Sequence, residues 1–169
     1  MLIRQLLSIA ILPFTVTVVI PRWIARRNGL DFSALRTAGD VAAVSAGLAF
    51  LAAGVVLFAA SLYYFWTRGR GTLAPWDPPR AFVVQGPYRY VRNPMISGVI
   101  FVLIGEAFVM RAPALAGWAA LFTLINMIYI PLAEEPLLAA RFGEPYAHYK
   151  RAVRRFLPRS RAWRPDARA

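Results

Sequence analysis

Long apolar runs alternate with short polar segments along the chain, and each run has few or no charged positions. Because a helix needs roughly 20 apolar residues to cross the hydrocarbon core of a bilayer, the runs predict membrane-spanning helices. Pro13 interrupts the first run and Glu106 lies within the third, so we expect those two helices to be kinked, tilted or partly embedded. We predict a single all-α integral membrane domain, residues 1–169, with about four spanning helices, over residues 5–21, 41–66, 94–110 and 112–134.

The first and second runs each carry a further pattern. Arg4 precedes the first run, as in a secretory signal peptide, but no small-x-small cleavage site follows Ile20, which favours a retained helix. In the second run, Gly47 and Gly54 recur at seven-residue spacing. Such a stripe of small residues predicts a face on which another helix packs closely.

A helix start and a tight turn organise the second half of the chain. Asn93 suits a helix N-cap and Pro94 suits the first helical position, so we predict that the third helix begins there. Residues 111–113 leave room only for a tight connection, which predicts an antiparallel hairpin of the third and fourth helices. The hairpin would bring Glu134 and Glu135 close to Asn93.

The two longest polar segments are the loop 67–93 and the tail 136–158. Proline and glycine are spread through the loop and exclude a continuous helix, and a loop of this length between spans is usually functional. Within the loop, residues 81–84 are expected to be extended. Pro136 is expected to end or kink the fourth helix at Glu135.

By its pattern the tail forms two amphipathic helices, residues 136–142 and 145–157, each with a proline in its first turn. Apolar and basic side chains alternate around the second of them, which is typical of a helix lying in the membrane interface. Beyond Arg159 we expect the chain to fray. The apolar face of the second helix is made by Tyr146, Tyr149, Val153 and Phe156.

Composition excludes several classes of function. The chain has 169 residues, 59% of them apolar, and a positive mean hydropathy, which excludes an ordinary soluble domain. It has no cysteine and one histidine, His148. Thiolate nucleophiles, cysteine-bound metals and multi-histidine sites are therefore excluded, and we predict no metal site.

The net charge of +12 arises from 20 basic and 8 acidic residues. The basic residues lie between and after the apolar runs, so the predicted partners are membrane lipids with anionic headgroups and not nucleic acid. With four spans, 15 of the 20 basic residues fall on one side of the membrane. The positive-inside rule then places both termini and the loop 67–93 in the cytoplasm, although four arginines within residues 22–36 point the other way.

The two helix ends that meet at the open end of the predicted hairpin have complementary charges. The N-terminus of the third helix, beside Arg89 and Arg92, offers free N–H groups and positive charge to an anionic group. The carboxylates of Glu134 and Glu135 could take a cation. Together they suit a zwitterionic or sulfonium ligand held at the membrane surface.

Three stretches of the chain, in their order and spacing, resemble a known family. They are Gly-Pro-Tyr-Arg-Tyr-Val-Arg-Asn-Pro-Met at residues 86–95, Glu-Glu-Pro-Leu at residues 134–137, and residues 142–158, which begin with Phe-Gly-Glu-Pro-Tyr and end with Phe-Leu-Pro. This pattern, within residues 80–159, is similar to the superfamily of isoprenylcysteine carboxyl methyltransferases and phospholipid N-methyltransferases.

The resemblance implies an integral membrane enzyme that uses S-adenosylmethionine to methylate a lipophilic, membrane-embedded acceptor, at a carboxylate or an amine headgroup. The isoprenylcysteine branch has His at the position of Asn93, and both branches usually have Tyr at the position of Ile96. Asn-Pro-Met and Glu-Glu-Pro look like the phospholipid branch. By position, the resemblance implies a cofactor site made of Val83, Tyr88, Asn93, Pro94, Met95, Ile96, Glu134 and Glu135.

The catalytic residues stay unassigned, with two candidates. Arg92 could bind the cofactor carboxylate, the acceptor or a lipid phosphate. A carboxylate acceptor needs no general base, whereas an amine must lose a proton, for which Glu106 or a carboxylate of the Glu134–Glu135 pair is a candidate. The alternative function is a non-catalytic membrane module that keeps the fold and binds anionic lipid or a partner subunit.

Overall fold

The computed structural model describes residues 10–29, 35–69 and 81–164, with side chains from Leu12 onward. Every regular element within these ranges is helical, which confirms the predicted all-α class. Three parts of the predictions lie outside the described residues. They are residues 5–9 of the first predicted span, residues 70–80 of the predicted loop, and residues 165–169 of the end that was predicted to fray.

Five helices, α1 to α5, follow one another in the described ranges, and α1, α2 and α4 each contain a segment of wide, π-type turns. A short 3-10 turn, Gly86–Arg89, precedes α3. The helices are α1, made of Ala10–Val19 and Ile20–Arg27; α2, Ala38–Tyr64 continued by Phe65–Gly69; α3, Pro94–Met110; α4, Pro113–Tyr129 continued by Ile130–Glu134; and α5, Glu135–Ala152.

Local signals set the starts of α2 and α3. α3 begins at Pro94 and ends at Met110, as predicted. α2 begins at Ala38, before the apolar run, because a capping box precedes that run. The Asp40 amide donates to the Thr37 hydroxyl at 3.1 Å, and the Thr37 amide donates to the Asp40 carboxylate at 2.9 Å.

Two predicted helix ends were wrong, and a proline lies at each of them. The first helix does not end at Pro21 but continues to Arg27, and Glu135 keeps helical angles, φ −63° and ψ −38°, in front of Pro136. Each proline lies in the first turn of the helical segment that follows it, where its missing N–H is tolerated. The break in α5 comes instead at Gly143, with φ 58° and ψ −138°.

α2 and α3 pack with their backbones in contact. The small-residue face predicted for α2 is buried, and Gly98 and Gly105 of α3 repeat the same seven-residue spacing. A Cβ added at Gly54 would lie 2.7 Å from the carbonyl oxygen of Gly98. One added at Gly47 would lie 2.9 Å from that of Gly105. Glycine on both helices therefore permits an approach that a larger residue would prevent.

α3 and α4 form the predicted antiparallel hairpin. Arg111 turns the chain in the left-handed conformation, with φ 51° and ψ 40°. Just after the turn, Ala112 and Leu115 are buried beside Ala107. The Arg111 guanidinium pairs with Asp40, so the turn is tied to the start of α2. The end of α2, the start of α3 and the end of α4 consequently lie together at the opposite end of the bundle.

α1 covers the seam between α3 and α4. The Trp118 indole N–H donates to the Val16 carbonyl at 3.1 Å, and Val16 packs against the buried cluster that contains Leu103. Farther along α1, Ile24 packs against the buried cluster at the hairpin turn. α1 therefore runs towards the turn, and α2 starts from that end of the bundle.

Two helical stretches among the described residues, Ala38–Gly69 and Pro113–Ala152, are long and apolar enough to cross a membrane. Only 11% and 22% of their most apolar windows are buried within the protein, so most of this apolar surface faces outward. α3 is apolar but has only 17 residues. The prediction of spanning helices is thus supported for two of the four, and the other two spans stay predictions.

Candidate functional site

The loop in front of α3 folds back on the end of α2. Its described part begins at Ala81, whose amide donates to the Gly69 carbonyl at 3.1 Å. The following 3-10 turn starts at Gly86, which has φ +55° and lies against the ring of Tyr64. Glycine adopts this left-handed angle without the steric cost of a Cβ, so it suits this position.

A strap, residues 153–163, runs along the loop. α5 ends at Ala152, earlier than predicted, and four backbone hydrogen bonds of 2.9 to 3.2 Å join the strap to the loop. The Arg89 Nε also donates to the carbonyl of buried Trp163 at 2.7 Å. The predicted fraying beyond Arg159 was therefore wrong as far as residue 164, where the described residues end. Two of these bonds run from the loop, where the N–H groups of Arg92 and Asn93 donate to the carbonyls of Arg154 and Arg155. The other two run from the strap, where Arg159 donates to the Tyr90 carbonyl and Trp163 donates to the Arg89 carbonyl.

The apolar face of α5, predicted to lie in the membrane interface, is instead buried in the protein. Phe82 of the loop and Trp163 of the strap cover it, with ring centroids 5.2 and 5.4 Å from that of Tyr149. The Tyr149 hydroxyl donates to the Tyr88 carbonyl at 2.6 Å. One cluster of loop, helix and strap thus fixes the position of Tyr88. The buried residues of this face are Tyr146, Tyr149 and Val153.

The first turn of α3 presents the predicted Asn93–Ile96 segment next to the strap. Asn93 occupies the N-cap position, but its side chain makes no hydrogen bond within the described part of the chain. Its carbonyl instead accepts from the amide and the hydroxyl of Ser97, both at 3.0 Å. The side-chain amide of Asn93 is therefore left for another partner. Pro94 is buried, and Met95 and Ile96 are half-buried.

Glu135 is the centre of an ionic cluster. It is 2% exposed and lies just past the apolar run of α4. Burial raises its pKa, but hydrogen bonds from Arg155 and Lys150 and the charge of Arg92 outweigh that effect, so the pKa of Glu135 is lowered. Its carboxylate is therefore ionised and engaged by the protein itself. Its Oε1 lies 2.7 Å from Arg155 Nε and 3.1 Å from Arg92 Nη1, and its Oε2 lies 2.8 Å from Lys150 Nζ.

Glu134 lies in the opposite environment. Within the ranges that the structure covers, no hydrogen bond or ion pair reaches its side chain. The Glu134 side chain is half-buried. Burial raises the pKa of the Tyr88 phenol, and the charges of Tyr149 and then Glu134 raise it further, so Glu134 lies within electrostatic range of Tyr88. A cation placed here would stabilise the ionised form of Glu134.

Arg92 has an unused donor. Its side chain is only 10% exposed, and its Nη1 lies 3.1 Å from Glu135. Its Nε is buried and has no hydrogen-bond acceptor among the described residues. Because a buried donor without an acceptor costs free energy, an anionic group of a ligand would be favourable beside Arg92.

Of the remaining two predicted residues, Val83 lies in the loop and only Glu106 lies apart from this group. Val83 is buried in the loop, one position before Val84, which packs against the Tyr149 cluster. Glu106 lies twelve residues after Pro94, about 18 Å along α3 at roughly 1.5 Å per residue. The structure therefore brings Arg92 close to Glu135, and the loop close to Glu134, but it keeps Glu106 near the other end of α3.

Four residues of the site were not predicted as site residues: Lys150, Arg155, Tyr149 and Trp163. Arg155 contacts a residue 20 positions earlier, and Tyr149 contacts one 61 positions earlier. No local pattern marks such contacts. The resemblance of the tail to a known family was the only signal that the tail belongs to the site.

Gly86→Ala is expected to disorder the loop. A left-handed angle costs an L-residue about 1 kcal/mol, and collision with the Tyr64 ring should add about 1–3 kcal/mol. Gly29→Ala is the matched control, because Gly29 has φ +59° and nothing within 4 Å of an added Cβ. Thermal unfolding in detergent measures both variants. Equal losses of stability would contradict the close packing at Gly86.

Comparison with known proteins identifies the family. The model of the phospholipid methyltransferase family matches residues 42–145, which is more than half of the chain. No curated protein and no solved structure matches the chain significantly. The matched range contains most of α2, the loop, α3, α4 and the first part of α5, and so both halves of the candidate site. The chain therefore belongs to the phospholipid methyltransferase family, and this membership makes it an integral membrane methyltransferase.

Proposed function

We propose that the protein transfers a methyl group from S-adenosylmethionine to a lipophilic acceptor embedded in the membrane. The observation that carries the proposal is the contrast between two adjacent carboxylates. Glu135 is engaged by three cations, whereas the half-buried Glu134 has no partner in the described structure. A fold that already neutralises Glu135 leaves Glu134 for the cation of a ligand.

The residues present fit S-adenosylmethionine, which carries a sulfonium, an ammonium and a carboxylate. We assign Glu134 to one of the two cations. The unused Arg92 Nε and the first turn of α3, with the free side chain of Asn93, suit the carboxylate. Tyr88 lies close to Glu134 and suits an adenine or methionine contact. Val83, Pro94, Met95 and Ile96 would line the same site.

When bound, S-adenosylmethionine supplies a methyl group activated by its positive sulfur. The contribution of this chain is to hold donor and acceptor in line and to exclude water. The loop, the strap and α5 form the wall that does so. For a carboxylate acceptor no base is required. For an amine acceptor, Glu134 is the better candidate base, because Glu106 lies about 18 Å along α3 from its first turn.

The acceptor is proposed to be a lipid that enters from the bilayer with its headgroup at the site end of the bundle. The loop, the strap and the ends of α2 and α4 all lie at that end, with most of the basic residues of the tail. The positive-inside rule then favours the cytoplasmic side for this end. The alternative of a non-catalytic lipid-binding module is not favoured, because the family is one of methyltransferases.

Incubation with methyl-labelled S-adenosylmethionine and extracted membrane lipids tests this function. We expect label in the lipid fraction with the purified protein and none with Glu134→Gln. Alkaline treatment separates the acceptor classes, because it releases methanol from a methyl ester and leaves an N-methyl group in place. Absence of labelled lipid from extracts that cover anionic, zwitterionic and prenylated lipids would contradict the proposal.

A further inference from the structure

Glu135 holds together three segments that are distant in sequence. Its carboxylate contacts Arg92 in the loop, Lys150 in α5 and Arg155 in the strap. With 2% exposure there is no room for a ligand group to approach the same oxygens. Two of these three contacts come from beyond residue 145, where the family match ends.

The backbone bonds of the strap lie next to this cluster. Arg92 donates through its amide to the Arg154 carbonyl at 2.9 Å, and Asn93 donates to the Arg155 carbonyl at 3.2 Å. The Arg155 carbonyl therefore accepts a hydrogen bond from the loop, and the Arg155 guanidinium pairs with Glu135. Removing the carboxylate charge would leave three cations close together without their shared partner, and their repulsion would push the strap away from the loop.

We propose that Glu135 is a positioning residue and not a ligand of the cofactor. It fixes Arg92 and the strap, and through them it orders the loop residues that face Glu134. The two carboxylates of the Glu134–Glu135 pair thus have separate roles: Glu134 contacts the bound molecule, and Glu135 maintains the wall around it. The assignment of the bound molecule as S-adenosylmethionine rests on the proposed function, but the role of Glu135 in ordering the loop does not.

The test measures loop order and ligand binding separately, on the full chain in detergent. Hydrogen exchange of peptides covering residues 86–94 and 153–163 reports loop order. Calorimetry with S-adenosylmethionine reports binding. For Glu135→Gln we expect faster exchange in both peptides and binding weaker by about tenfold to a hundredfold, because a displaced contact surface loses affinity. For Glu134→Gln we expect weaker binding with exchange unchanged.

Glu144→Gln is the matched control, because it makes the same change on α5 at an exposed ion pair, 3.8 Å from Arg151. It should alter neither measurement. If Glu135→Gln does not fold, Lys150→Met removes a single cation from the cluster at a half-exposed position, and exchange of both peptides should still increase. The conservative variant Arg155→Lys is not expected to preserve the contact with Glu135, because Lys has no Nε–H donor in the geometry that Arg155 uses.

Weaker binding with unchanged exchange in Glu135→Gln would overturn the proposal, since it would make Glu135 a direct ligand. Unchanged binding and unchanged exchange would overturn it as well. If the wild-type protein does not bind S-adenosylmethionine, the proposed function fails. Exchange alone then decides the role of Glu135: faster exchange in the variant supports it, and unchanged exchange contradicts it.

Discussion

Glu134→Gln should nearly abolish binding of S-adenosylmethionine. Truncating one partner of a buried charge pair costs about 2–5 kcal/mol, which corresponds to roughly 30-fold or more in affinity. The change keeps the shape of the side chain and removes only its charge, so the bundle should remain folded. Calorimetry on purified protein measures the affinity, and unfolding in detergent confirms that stability is retained.

A comparison of two ligands shows which cation Glu134 contacts. S-adenosylmethionine has a sulfonium and an ammonium, whereas S-adenosylhomocysteine has only the ammonium. If Glu134 faces the sulfonium, Glu134→Gln should weaken binding of the first ligand more than that of the second. If Glu134 faces the ammonium, the two losses should be equal. Unchanged affinity for both ligands would remove Glu134 from the site.

Gly54→Leu should separate α2 from α3. A Cβ at this position would already lie 2.7 Å from the Gly98 carbonyl and 2.8 Å from the Val102 amide, both of which are backbone groups that cannot rotate away. A full leucine side chain should therefore cost more than about 4 kcal/mol, at the upper end of the effects of single substitutions. Unfolding by a denaturing detergent, followed by helix content, measures the loss.

Gly117→Leu provides the control for this change. Gly117 also lies within a helix, but an added Cβ there meets nothing within 4 Å. Because leucine is a better helix former than glycine by somewhat less than about 1 kcal/mol, Gly117→Leu should be neutral or slightly stabilising. Similar effects of the two substitutions would contradict the backbone contact between α2 and α3.

Local sequence signals predicted the elements that depend on local interactions. The start of α3 at Pro94 follows from the conformational preference of proline, and the packing face of α2 follows from the spacing of its glycines. The hairpin follows from the short connection at Arg111. In each case the residues that determine the structure lie within a few positions of one another or on one helix.

The sequence did not predict the structure of the tail, because distant contacts determine it. The amphipathic pattern of α5 indicates that one face is apolar but not whether lipid or protein covers that face. Phe82, more than 60 residues earlier, covers it. The division of roles between Glu134 and Glu135 was also unpredictable, since two adjacent glutamates differ only in what the fold brings to each. Here three cations from three segments reach one of them.

We propose that the start of α3 and the end of α4 enclose one small zwitterionic molecule. The most direct test is an experimental structure of the protein with S-adenosylhomocysteine bound. We predict ligand density between Tyr88 and Glu134, with the carboxylate of the ligand near Arg92 and with Glu135 still paired to Arg92, Lys150 and Arg155. Ligand density elsewhere in the bundle, or a site between Tyr88 and Glu134 that stays closed at saturating ligand, would contradict the claim.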